Sequence, residues 1–598
     1  MRKNLFTKSI GMILAAGLMM SMLTGCGADN ATTSDQLPET SDTAASEAAT
    51  YADESTDEPE SYDYGMAEEE TADSYTPAMN SEVGKSVNSS SKVFGNKDLK
   101  MDNESNYLWQ ESDSRDYSHV SENDFIATDK ENVSTFSADV DTASYSNIRG
   151  YIYDGLQVPE DAVRVEEMIN YFHYDYKEPK KGEPFSVNME VDGCPWNKDH
   201  QLVMVGLKAK AIEEKDRKPT NFVFLIDTSG SMNLPDKLPL VKCAFVKLLN
   251  ELNENDTVSI VTYAGSDEVV LEGESGENTD RIAAAIEELE AHGSTNGSAG
   301  INTAYKIAES YFNKKGNNRV ILATDGDLNV GVTSKDDLTE LIKEKKESGI
   351  FLSVLGFGSN NLKDDKLEAL ADNGNGNYAF IDSVYEAKKV LVEEMGSTLE
   401  TVAKDVKLQA TFDKSVVEKY RLIGYENRML AKEDFDDDTV DGGEIGSGHE
   451  VTALYEIVPT KDAQAKGYSD DNHILDLSIR YKEPKKDDSK LLKYACNYSS
   501  DGFDNDASDN MLWAESVACF GMLLKNSDYS GKCTFDLARR LAAGTSYTDD
   551  ALKVEYMTLL DEAERQQIAD MGFDDYDIDE EYNDYDNDET EVNVIHAD

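Results

Sequence analysis

The chain has 598 residues and a mass of 66.2 kDa, enough for three or four domains, or for fewer with long tails. A total of 57 Lys and Arg against 119 Asp and Glu gives a formal net charge of −62, which excludes nucleic acid and a basic membrane-surface helix, because such a chain repels phosphates and anionic lipid. Only 39% of the residues are hydrophobic, so part of the chain cannot collapse into a core.

The first residues read as a targeting signal. Arg2, Lys3 and Lys8 precede an apolar run from Ile10 to Leu23, short for a membrane span and typical of a secretory h-region. The run ends in Leu23-Thr24-Gly25-Cys26, which resembles a bacterial lipobox. Residues 1–25 are therefore expected to be a signal peptide and Cys26 a lipidation site, which places the mature chain on the extracytoplasmic face of the cell membrane, held by lipid alone. No later stretch reaches 18 apolar residues, so no spanning helix is expected after Cys26.

Residues 26–124 are rich in Ser, Thr, Asp, Glu, Ala and Tyr without apolar period, and are expected to be a disordered acidic linker. A flexible chain of that length has a root-mean-square reach of about 50–60 Å, enough to act as a stalk. Residues 125–183 form a separate amino-terminal region.

Two sets of strand-like segments follow. Phe185–Val191 and Leu202–Leu207 lie before residue 221, and Val406–Phe412, Val451–Ile457 and Ile474–Ile479 lie after residue 404. Neither set alone has enough strands to close a sandwich. Residues 184–220 and 405–500 are therefore expected to form one β-sandwich, with a domain of residues 221–404 inserted into it.

Within 221–404, strand and helix patterns alternate. Phe222-Val-Phe-Leu-Ile226 is a continuous apolar run, as a strand buried on both faces requires. Val241, Ala244, Phe245, Leu248 and Leu252 recur at helical spacing. Val258–Val261, Val320–Ala323, Ile350–Leu355 and Tyr378–Ile381 read as further strands separated by helices. The fold class is α/β, a doubly wound and mostly parallel sheet. Residues 501–570 read as helices with a packing role. Residues 571–598 are an acidic tail expected to be disordered, and Asp575-Tyr-Asp577-Ile-Asp579 departs from a calcium loop because Glu580 stands where Gly is needed.

In a doubly wound sheet the chemistry lies beyond the carboxyl ends of the strands. Three loops at that rim carry oxygen ligands: Asp227-Thr-Ser229-Gly-Ser231, Gly293-Ser-Thr295-Asn-Gly297, and Thr324-Asp325-Gly-Asp327. Asp227, Ser229, Ser231, Thr295 and Asp325 supply two carboxylates and three hydroxyls, a set suited to a small hard dication that keeps several waters. Two carboxylates balance the ion, and hydroxyls coordinate without adding charge, so the metal stays electrophilic. Taken singly, Asp227 caps a turn, the serines cap a helix and Asp325 turns the chain.

The three loops together resemble the metal-ion-dependent adhesion site of von Willebrand factor type A domains. That resemblance implies Mg²⁺, with Mn²⁺ or Ca²⁺ as alternatives. It implies direct contact from Ser229, Ser231 and Thr295, with Asp227 and Asp325 acting largely through water. Ser294 stands where a second Gly is commoner, and this removes no ligand. Thr135-Phe-Ser-Ala-Asp-Val-Asp-Thr-Ala-Ser-Tyr145, the run Val158 to Phe172, Glu433-Asp-Phe435 and the run Val440 to Tyr455 resemble the flanks of a family of bacterial von Willebrand A lipoproteins, often labelled calcium-activated chloride channel homologues. Channel function is excluded, because nothing after the signal is read as spanning a membrane.

Other chemistries lack residues. The seven His residues form no HExxH or paired ligand spacing, and no GxSxG elbow or Walker loop occurs. Six Cys occur, with no CxxC. Cys519 and Cys533 are the nearest pair, and Cys243 is expected to be a buried free thiol on the apolar face of its helix. The implied function is non-enzymatic: a cell-surface lipoprotein whose A domain holds Mg²⁺ and captures an acidic side chain of a protein partner. The alternatives are a metal-dependent phosphohydrolase using the same carboxylates and a metal-free envelope scaffold. A phosphatase of the aspartyl-nucleophile type needs an acid two residues after Asp227, where Ser229 stands.

Overall fold

The computed structural model describes residues 115, 117–293, 297–326, 335–359, 362–466, 473–498 and 507–570. The chain divides into two units, Met1–Asn103 and Glu104–Asp598. The signal, Cys26, most of the linker, the tail from 571 and Thr295 lie outside the described residues.

The inserted domain is built on a sheet whose described strands run in the order Tyr378–Ile381, Phe351–Phe357, Asn317–Thr324, Thr220–Asp227, Thr257–Tyr263, Asp267–Ser275. The first five are parallel and the last is antiparallel to its neighbour. Every residue of Thr220–Asp227 is buried, which is what its unbroken apolar run predicts. Phe222, Phe224 and Ile226 pack with helices Leu238–Leu248 and Thr279–Glu287. Val223 and Leu225 point to the other face, toward helices Gly297–Ser310, Lys335–Glu347 and Asp364–Asn373. The chain steps one way from the central strand to Thr257–Tyr263 and then returns to its other side at Asn317–Thr324. The strand order therefore reverses beside the carboxyl ends of Thr220–Asp227 and Asn317–Thr324, where such sheets form a crevice.

Strands from both sides of this domain share two antiparallel sheets. One has the order Ile126–Ala127, Val417–Ile423, Glu450–Pro459, Gln201–Ala209, Phe185–Gly193, and the other Met429–Leu430, Val133–Ser137, Thr401–Phe412, His473–Lys482, Ser489–Asn497. Glu450–Pro459 pairs with Gln201–Ala209, with Thr452 opposite Gly206, so residues nearly 250 positions apart in sequence are adjacent rungs of one ladder. Phe136, Val205, Leu408, Phe412, Tyr455 and Leu477 fill the space between the sheets. The sheets also take in Ile126–Ala127 and Val133–Ser137, so part of the amino-terminal region read as separate belongs to the sandwich, joined to it by ladder pairing that local sequence does not reveal.

Helices Asp509–Leu524, Phe535–Ala543 and Ala551–Asp570 share one core with the amino-terminal helices Ala143–Tyr153 and Val165–Asn170. Phe172, Trp513, Phe520 and Tyr556 meet edge-on there. Ser508 and Thr534 cap two of these helices by accepting the Met511 and Leu537 amides.

Two differences from the sequence reading concern packing. Cys243 is exposed, not buried. Helix Leu238–Leu248 buries Val241, Ala244, Phe245 and Leu248, and position 243 lies about 100° off that stripe. The antiparallel edge strand Asp267–Ser275 was not anticipated, because its charged, half-exposed pattern carries little apolar signal. Cys519 and Cys533 are free thiols.

Candidate metal centre

The site begins where the central strand ends. Asp227 closes the strand and is fully buried. Its Oδ1 accepts the Ser229 amide at 2.9 Å, and its Oδ2 accepts the Thr324 hydroxyl at 3.2 Å. The first bond makes a tight turn of residues 227–229, which feeds the short 3₁₀ turn Gly230–Met232. Met232, with no exposed surface, anchors that turn in the core. The turn brings the Ser229 and Ser231 hydroxyls to 3.0 Å from each other. Ser229 is buried and Ser231 is exposed, so the set opens to solvent past Ser231.

The second loop is laid against the first by its backbone. The His292 amide donates to the Thr228 carbonyl at 2.7 Å, and the Gly230 amide donates to the Gly293 carbonyl at 3.1 Å. Gly293 has φ +78°, a conformation that favours glycine. Helix Gly297–Ser310 starts four residues later. Thr295 lies between these two points and outside the described residues.

The third loop follows the adjacent strand. Ile226 and Ala323 are register partners, which sets Asp227 beside Thr324 and brings Asp325 to the same rim. Asp325 is fully buried, and its Oδ2 accepts the Lys237 ammonium at 3.0 Å. The Thr324 hydroxyl also accepts the Gly326 amide at 3.1 Å, which orients it toward Asp227.

Electrostatics single out Asp227. Burial raises its carboxyl to about 6, the Ser229 hydrogen bonds oppose the shift, and the Asp325 charge adds to it. The Tyr263 hydroxyl is raised well above its ordinary value, chiefly by burial and then by the Asp227 charge. That hydroxyl is buried and lies close to Asp227 and Thr324. Two buried carboxylates and two neighbouring hydroxyls form a donor set suited to a hydrated dication. Among the described residues, no three His, Cys, Asp or Glu side chains are arranged to hold a metal.

The structure thus brings together Asp227, Ser229, Ser231 and Asp325. Sequence reading did not identify Thr324, Tyr263 or Lys237. Thr324 was accessible in principle, since it directly precedes Asp325 at a strand end. Lys237 and Tyr263 had no local signal.

Comparison with known proteins gives the context of this geometry. Residues 221–394 match the model of the von Willebrand factor type A domain, residues 111–204 a model described as von Willebrand factor, and residues 397–566 one described as the C-terminal part of uncharacterized protein YfbK. Uncharacterized protein YfbK of Escherichia coli (strain K12) is 39% identical over 454 residues, spanning 72% of this chain and 78% of that protein. Inter-alpha-trypsin inhibitor heavy chain H3 of Homo sapiens is 30% identical over 176 residues, 28% of this chain and 19% of that one. Among solved structures, the von Willebrand factor type A protein from Catenulispora acidiphila is similar with a TM-score of 0.38 at 15% identity, covering 63% of this chain and 89% of that chain.

Proposed function

We propose that this chain, which belongs to the YfbK-like family of bacterial von Willebrand factor type A domain proteins, binds a protein partner through a divalent metal held at the rim of its α/β domain. The observation that carries this reading is the convergence of Asp227, Ser229 and Ser231 on one turn beside Asp325, with Ser231 facing solvent. Ser229, Ser231 and Thr295 would hold the ion directly, and Asp227 and Asp325 through water. The ion would be Mg²⁺, with Mn²⁺ or Ca²⁺ satisfying the same ligand types. When bound, it supplies a Lewis-acidic position for an acidic side chain of the partner.

The surroundings suit a protein ligand. Leu234 and Tyr385 are 36% and 83% exposed. A groove of about 280 Å³ is lined by Tyr153, Asp236, Ser359, Asp382 and Tyr385, and Asp236 directly precedes Lys237 in the chain. Aromatic side chains that stand out of a surface give large contact area at low entropic cost.

The chemistry does not favour hydrolysis. Both Asp227 oxygens already accept hydrogen bonds, from the Ser229 amide and the Thr324 hydroxyl. That arrangement fixes a carboxylate as an acceptor and does not expose it as a nucleophile. Attachment by lipid at Cys26 to the outer face of the cell membrane belongs to the same proposal, as does a partner that carries an accessible Asp or Glu.

Isothermal titration with Mg²⁺ tests the reading. One ion should bind per chain, and binding should vanish in Asp227→Ala. Persistence of full affinity in that variant contradicts the proposal. A melting temperature insensitive to Mg²⁺ would favour a metal-free scaffold.

A further inference from the structure

Lys237 is the one cationic side chain that the described residues place on a carboxylate of the metal centre. It is 1% exposed, and its Nζ lies 3.0 Å from Asp325 Oδ2. The approach is built by the backbone. Lys237 closes a turn by donating its amide to the Leu234 carbonyl, and it is the residue that precedes helix Leu238–Leu248. Its aliphatic stem lies along Gly358 at the end of strand Phe351–Phe357. Gly358 has φ +86°, and a Cβ there would stand 2.4 Å from Lys237 Cε and 2.8 Å from Cγ. The fold therefore reserves space for this side chain. A buried ammonium is kept in a fold only with a partner charge, and here that partner is itself a proposed metal-site carboxylate.

We propose that Lys237 sets the charge of the metal centre so that the ion, once bound, demands an external carboxylate. This inference rests on the metal-binding reading above. Among the described residues, Asp227 and Asp325 together offset a dication, so without Lys237 these groups and the ion sum to zero and have no electrostatic need of an anion. With Lys237 they carry one net positive charge, which a single Asp or Glu of the partner cancels. Among the described residues, the adjacent carboxylate of Asp236 is engaged by Ser359, whose amide and hydroxyl it accepts at 3.0 and 3.1 Å. The lysine thus has two opposed effects. It weakens metal binding by repulsion, and it strengthens capture of an acid by the loaded site. It acts through Asp325 and the ion, so it is a specificity-determining, positioning residue, and its two effects have opposite sign.

The test uses the full chain with Mn²⁺ as probe, so that water-proton relaxation reports both metal binding and displacement of metal-bound water by acetate. In Lys237→Met, Mn²⁺ affinity should rise at least about tenfold, and acetate affinity of the loaded protein should fall by about the same factor. Lys237→Arg should keep both near wild type. The melting-temperature rise on adding metal should be larger in Lys237→Met than in wild type, because the ion replaces the lost counter-charge of Asp325. Should Lys237→Met not fold, Lys237→Gln carries the same expectations with a polar head. Unchanged or weaker Mn²⁺ binding in the neutral variants, or unchanged acetate binding, overturns this inference and leaves the metal centre standing. Absence of Mn²⁺ binding in wild type overturns both.

Discussion

Thr324 donates its hydroxyl hydrogen to Asp227 Oδ2 across 3.2 Å, joining the tips of two adjacent parallel strands. The same hydroxyl oxygen accepts the Gly326 amide, so one side chain holds the Asp227 carboxylate and starts the Asp325 loop. In Thr324→Val the branched shape remains and both bonds are lost. A hydrogen bond to a buried charged group contributes about 2 kcal/mol, so urea unfolding should show a loss of that order. Mg²⁺ affinity should fall several-fold in the same variant. An unchanged midpoint and affinity would mean that the contact does not hold the site.

The raised Asp227 carboxyl gives a pH dependence of defined sign. Its value moves from 3.8 to about 6, with burial as the main cause. The folded, metal-free protein therefore holds this proton more tightly than the unfolded chain does. The group's contribution to stability is full below the unfolded value and is lost as pH rises through about 6. In chelator, wild type should lose on the order of 2–3 kcal/mol relative to Asp227→Asn across that window. Mg²⁺ should restore it at the upper end, since the ion competes with the proton. Parallel stability profiles for the two proteins in chelator would refute the assignment.

Arg428 ties three parts of the chain together. Its guanidinium lies 2.7 Å from Asp372 and 3.0 Å from Glu368 on helix Asp364–Asn373, and 3.0 and 3.2 Å from Asp141 and Asp139 beside strand Val133–Ser137. Removing one partner of a buried ion network leaves uncompensated charge and costs about 3–5 kcal/mol. Arg428→Met should therefore lower the free energy of urea unfolding by that amount, without direct effect on metal affinity in the protein that remains folded. A loss within the range of an exposed ion pair would show that the sandwich and the inserted domain are joined by other contacts.

Thiol accessibility provides a check of helix orientation. Cys243 is exposed, whereas Cys194, Cys496, Cys519 and Cys533 are buried. Brief native alkylation followed by mass spectrometry should modify Cys243 first among these five. Preferential labelling of Cys519 or Cys533 would contradict the packing of the carboxyl-terminal helices.

Much of the inserted domain was legible because its signals are local. Phe222–Ile226 announces a strand buried on both faces, and the alternate spacing of Asp227, Ser229 and Ser231 announces a converging turn. What could not be read depends on register and on distance along the chain. The Thr324–Asp227 bond exists only because Ile226 pairs with Ala323. Lys237 finds Asp325 only because Gly358, just past the end of a third strand, leaves room for its stem. The joining of Ala143–Tyr153 with Asp509–Leu524 in one core is likewise invisible to periodicity, which reports that a face is apolar and not what covers it. Cys243 was misread by one position on the helix, an error of about 100° that turns inside to outside.

The inserted domain enters and leaves the sandwich at its base, where Glu400 accepts the Lys218 amide and the Asn317 side chain at 2.7 and 3.0 Å. The strand that starts there, Thr220–Asp227, ends at the proposed metal site about 25 Å away. Tension from a captured partner would run down this strand. Its neighbours on both sides lie parallel and are bonded along its length. The pull would load that whole row of hydrogen bonds in shear, together, instead of peeling them one by one, which is how a tether resists mechanical force.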